Sequence, residues 1–186
     1  MGCDIHFYVE IKNAQGVWAL APGQLVPCER CGGTQLDPEH KHCGNCKKKL
    51  SEHEPDTGKC WFDFTKLDLV PDPCNYECLG GNQLTDSYYP GGRNYELFGI
   101  LSGVRTDAVP GFTQENRGMP ADPSPELAKA SLEPDWHSHT WYTLDELSAH
   151  DWDQHEYISE FQAALEKMRK LAEQYEDVRA VFWYDN

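Results

Sequence analysis

The chain opens on "GCDIHFYVEIK" (residues 2–12), a stretch in which apolar and polar side chains alternate strictly. Successive side chains of a strand project to opposite faces, so Ile5, Phe7 and Val9 point one way and Asp4, His6, Tyr8 and Glu10 the other. The apolar side predicts a sheet packed on a core. The polar side is either the wet face of that sheet or the floor of a site. The same question arises at "DWHSHTW" (135–141), where His137, His139 and Trp141 also take alternate positions.

Working outward, "NAQG" (13–16) reads as a turn into a short strand through Val17, Trp18 and Leu20. At the far end, "VRAVFWYD" (178–185) is an apolar run expected as a central strand beside residues 4–11. "NYELFGILSGV" (94–104) predicts a buried helix, capped by Asn94 and ended by Gly103. Ser124-Pro125 starts a short helix, and Thr143 with Glu146 forms a capping box. The strongest helical periodicity runs from Asp153 to Tyr175, with Ile158, Phe161, Leu165 and Met168 on its apolar stripe. The expected class is α+β, a small mostly antiparallel sheet with helices on one face. Residues 1–20 and 60–186 form this body, and residues 21–59 are an insert.

The insert carries "CERCGG" and "HCGNCKKK", which space Cys28-x2-Cys31-x11-Cys43-x2-Cys46. Each pair lets two thiolates reach one tetrahedral ion, and the second pair closes the shell. The expectation is a structural zinc ribbon with no open coordination position. Residues 21–50 hold five basic and three acidic side chains, against 11 and 28 elsewhere, so the ribbon is a basic island. Cys3, Cys60, Cys74 and Cys78 remain as free thiols, with a second site at Cys74 and Cys78 as the alternative.

A hydrophobic content of 39% with six tryptophans predicts a folded globule. The net charge of −15 repels nucleic-acid backbones and anionic membranes, which excludes nonspecific nucleic-acid binding. No apolar run is long enough to span a bilayer, and no basic segment with an apolar core leads the chain. A cytoplasmic protein is expected.

Asp4 and His6 on one strand, and His137 and His139 on another, are the residue types that bind a divalent ion or move protons near neutral pH. If the two strands are neighbours, these groups converge as catalytic candidates. Arg117 lies in a loop and is the candidate fork for phosphate oxygens, with Tyr8 and Trp141 completing the ligand-binding set. Arg93 and Arg105 are expected to pair with acids. Serine and thiol hydrolase arrangements fit poorly, because Ser138 and Cys3 each point away from their neighbouring histidines.

"MGCDIHFYVE", "RNYELFGILSGVR", "RGMP", "HSHTW" and "VRAVFWYDN" together resemble a family of small bacteriophage-encoded proteins with no assigned activity. The resemblance covers residues 1–20 and 93–186, and the ribbon departs from it as an insertion. It implies a phage origin, the host-cell cytoplasm, and by analogy a role against host defence. Two readings stay open. In one, an Asp/His/Arg pocket binds and hydrolyses a phosphate-containing, nucleotide-like small molecule, with a second divalent ion at Asp4, His6 and His137. In the other there is no chemistry: the pocket is a nucleotide sponge, or the ribbon docks on a host protein as an inhibitor. The zinc expectation is testable by X-ray absorption, which should show one ion with sulfur ligands only. Cys43→Ser should release that ion while the body stays folded, because a body of this size has its own core.

Overall fold

The computed structural model describes residues 2–27, 82–90, 92–105, 116–132 and 134–185. The expected zinc ligands Cys28, Cys31, Cys43 and Cys46 lie outside these residues. The chain divides into two compact units, Leu25–Thr85 and a body made of Met1–Gln24 with Asp86–Asn186. In the former, β3 (Leu25–Pro27) and β4 (Asn82–Leu84) form an antiparallel ladder in which Val26 faces Gln83.

The body is built on four strands: β1 (Ile5–Lys12), β2 (Trp18–Leu20), β5 (His137–Thr143) and β6 (Val178–Tyr184). Their order is β2-β1-β6-β5, and every pairing is antiparallel. The apolar C-terminal run is therefore central, and it lies beside the first strand as its composition predicts. Asn13 makes the β1–β2 turn, its side-chain oxygen accepting from the Gln15 and Val17 N–H groups.

One face of the sheet packs on helices α1 (Tyr95–Ser102), α3 (Leu144–Ser148) and α4 (Ser159–Ala172). Ile5, Phe7, Val9 and Ile11 all point into this core with Phe182 and Tyr184. Phe7 stacks on Phe182 at 5.7 Å and meets the Phe161 ring edge-on at 5.9 Å, which ties β1, β6 and α4 together. The caps are those the residues call for. The Asn94 side chain accepts from Leu97 N, Gly103 ends α1 in the left-handed region, and Thr143 with Glu146 forms a complete capping box.

Helix α4 begins at Ser159, six residues later than the periodicity implies. Asp151 caps a separate 3-10 turn over Trp152–Gln154, and Tyr157 then takes a φ of +55°, which no α-helix accommodates. Helix α2 (Pro125–Ala130) departs from the expected single layer of helices. Its cap residue Ser124 donates its N–H to Glu10 at 2.6 Å, on the sheet face opposite the main core.

That second face is neither wet nor open along most of its length. Tyr8, Val181, Trp183 and Leu127 are buried outside the main core cluster. Glu10 and Arg179, directly opposite each other in register, are 0% and 3% exposed and pair at 2.7 Å. Two cores thus sandwich one sheet. No described helix is long and apolar enough to cross a membrane.

Removing one partner of a buried ion pair leaves an uncompensated charge, so Glu10→Ala should cost about 3–5 kcal/mol of stability. A Glu10→Leu, Arg179→Met double variant should recover much of that loss. Urea denaturation of the single and double variants measures both.

Candidate functional site

The second face changes character toward the end of β1 where the chain starts. His6 faces Trp183 in register, and their rings stack at 6.2 Å with an interplanar angle of 22°. Trp136, just before β5, leans on both, 5.0 Å from His6 and 5.2 Å from Trp183. Tyr8 and His139 flank Trp183 at 5.1 and 5.5 Å. Trp183 is wholly buried, and its Nε1–H has no hydrogen-bond partner. The result is an aromatic floor whose outer members, His6 and Trp136, are partly exposed.

Carboxylates border this floor. Asp185 Oδ2 lies 3.4 Å from His6 Nε2, and its Oδ1 accepts the Asp4 N–H at 2.6 Å. The Asp4 carboxylate takes a two-pronged contact from Arg93, at 2.8 and 3.1 Å. That contact holds the Asp4 carboxyl below its ordinary range. Gly2 makes room for it, since a Cβ there would collide with the Arg93 guanidinium. Asp86 is the third acid. Burial pushes its carboxyl upward, and the field of His6 opposes that shift.

The other expected site residues scatter. The alternation at 137–141 is broken by a bulge: His137 pairs with Tyr184 and Thr140 with Phe182, leaving Ser138 and His139 opposite Trp183. Ser138 takes a φ of +54° to make it. His137 is thereby turned to the face of Tyr184, whose ring it stacks on at 6.1 Å, while His139 stays on the face of His6. Both Nε2 atoms are buried without a partner. Burial also pushes the His139 imidazole down, keeping it neutral. Because β6 stands between β1 and β5, His6 and His139 are roughly 9–10 Å apart across the sheet, two strand spacings.

Arg117 grips Glu146 with two contacts, at 3.0 and 2.7 Å, and lies over the rings of Trp141 and Tyr142. Trp141 itself sits between the guanidinium groups of Arg117 and Arg179. Both residues are engaged in holding the 116–124 loop on the edge strand, where Gly118 N–H also bonds the His139 carbonyl. Among the described residues, no three His, Cys, Asp or Glu side chains are grouped to hold an ion. Residue-by-residue reading missed Trp136, Asp86 and Asp185. Asp185 carried a usable signal, since pairing 178–184 against 4–11 sets it beside Asp4.

Glu146 couples this loop to the start of α3. Its pKa lies below the ordinary Glu value, first because of the Arg117 hydrogen bonds and then through the Thr143 backbone. A depressed folded pKa contributes stability that is complete above the unfolded value of about 4.3 and is lost as pH falls through the folded one. The pair is partly exposed, so Glu146→Gln should cost only about 0.5–1 kcal/mol at neutral pH. The difference between variant and parent should shrink as pH falls below about 4.3 in denaturation curves. No family model, curated protein or solved structure matches the chain, so what the site can do follows from these side chains.

Proposed function

We propose that this protein is a binding module whose His6 rim receives a cationic side chain, arginine or lysine, from a basic partner protein. The observation that carries this is the make-up of the rim: an aromatic pair, His6 and Trp136, bordered by Asp4, Asp86 and Asp185. Ring faces and carboxylates together are what a guanidinium or ammonium group binds. The chain's own Arg93 already lies on Asp4 in this manner. A phosphate group would meet three acids there, the neighbouring Arg93 is engaged with Asp4, and Arg117 lies away from the rim on Glu146. The net charge of −15 adds long-range attraction for a basic partner. If the chain is phage-encoded, as its motifs suggest by resemblance, that partner is a host protein and counter-defence is its purpose. The zinc at Cys28, Cys31, Cys43 and Cys46 then serves a structural ribbon.

A second reading, hydrolysis of a phosphate-containing small molecule, has one observation in its favour. Asp86, raised by burial, stands near His6, which Asp185 orients. A carboxyl whose pKa burial raises, within the field of an imidazole, is a pairing of the kind general acid–base chemistry uses. That site would consist of His6, Asp86, Asp185 and Asp4, without His137.

The two readings part on one pair of assays. An arginine-rich peptide should bind, with affinity falling as salt rises, and Trp136→Ala should weaken it roughly 2- to 30-fold. Asp86→Asn and Asp185→Asn should weaken it too, as read by fluorescence titration. Turnover of any member of a nucleotide panel, abolished by His6→Ala, would establish the second reading instead.

A further inference from the structure

Far from the His6 rim in sequence, the segment joining α3 to α4 brings two histidines together. His150 Nε2 and His155 Nε2 lie 2.8 Å apart, with their rings 5.0 Å apart and nearly parallel at 17°. Each imidazole therefore aims a ring nitrogen at the other. The arrangement is fixed to the core through Trp152, which is buried, donates its Nε1–H to the Leu147 carbonyl at 2.6 Å and packs edge-on against Phe161. His150 lies against the Trp152 ring at 4.6 Å, and the His155 N–H bonds the Trp152 carbonyl at 3.2 Å. Both ends of the segment are thus tied to one anchored residue. Beside them lies a cavity of about 420 Å³ whose lining includes His150, Asp151, Asp153 and Glu166.

We propose that His150 and His155 form a bidentate site for a divalent transition-metal ion, with zinc as the test case. Two imidazole nitrogens this close can share a single proton, and an ion can take that proton's place. Zinc binds histidine nitrogen at about 2.0–2.1 Å, so a tetrahedral ion needs its two nitrogens roughly 3.3 Å apart. The pair meets that by opening by about half an ångström and tilting each ring by about 35° on the side of the cavity, so that both nitrogen lone pairs converge on the ion. No group of three ligating side chains occurs among the described residues. The ion would therefore keep water in its remaining positions, facing the cavity, and would be exchangeable rather than structural. Nitrogen ligands of this kind favour copper over zinc and nickel. This site is independent of the His6 rim and of the cysteine cluster.

The test uses the full chain, its metal content as isolated measured first, titrated with zinc chloride. Native mass spectrometry should show one further ion. The Nε2 signals of His150 and His155 should both move in a nitrogen-15 NMR titration. His150→Ala, His155→Ala and His155→Gln should each weaken uptake about tenfold or more. The glutamine variant keeps a hydrogen-bonding group for His150, so its failure to bind would not come from a lost structural contact. Unchanged uptake in the three variants would overturn the proposal. So would imidazole signals in the parent protein that stay in place at millimolar zinc, a result that does not depend on any variant folding.

Discussion

A charged pair with almost no access to water sits near one end of the second sheet face, and much of the molecule is arranged to satisfy it. Glu10 on β1 accepts from Arg179 Nε with one oxygen and from the Ser124 N–H with the other. Arg179 also donates from Nη1 to the Asp122 side chain and from Nη2 to the Asp122 carbonyl, and its guanidinium lies 3.9 Å over the Trp18 ring. A buried ion pair is tolerated only when every donor and acceptor is met, because an incomplete network costs more than an apolar core would. Here that requirement draws in β1, β2, β6, the 122–124 loop and the start of α2. The loop is held there by the charges, and the Trp18 ring lies against the same guanidinium.

This coupling explains what could and could not be read from residues in order. The first face was legible because burial on it obeys a simple period: Ile5, Phe7, Val9 and Ile11 all reach the core. The central place of 178–184 follows from its apolar run, even with Arg179 inside it. The caps at Asn94 and Thr143 are local hydrogen bonds between residues three apart, so sequence alone carries them. The second face was not legible by the same rule. A strand glutamate looks like a solvated residue unless its arginine is known, and that partner lies 169 positions away.

The candidate site failed to read out for two physical reasons. Strict alternation is broken at Ser138, whose left-handed backbone inserts one residue and turns His137 away from His139. Nothing about "HSHTW" distinguishes a regular strand from a bulged one, since serine is not a residue that advertises positive φ. The second reason is distance along the chain. Asp86, Trp136 and Asp185 come from three segments far apart in the chain, so no local pattern joins them. Asp4 and His6 were found because they sit together on one strand. Arg117 stood out as a loop cation, and the fold spends it on Glu146.

The two ends of the second face divide labour in a way that bears on binding. At Glu10 and Arg179 the face is closed and its charges are paired. At His6 it opens, and the side chains there are held from below: the ring by its stack on the wholly buried Trp183, and its Nε2 by Asp185. Asp185 is itself positioned past the last paired residues of the β1–β6 ladder, its N–H donating to the Asp4 carbonyl and its Oδ1 accepting the Asp4 N–H. A rim built this way presents its rings and acids already oriented. A partner then loses little side-chain freedom on binding, which is where affinity is otherwise spent. The buried ion pair at one end and the oriented rim at the other are consequences of the same register, in which Glu10 meets Arg179 and His6 meets Trp183. A slip of one residue in that pairing would turn every one of these side chains to the opposite face of the sheet, destroying both together.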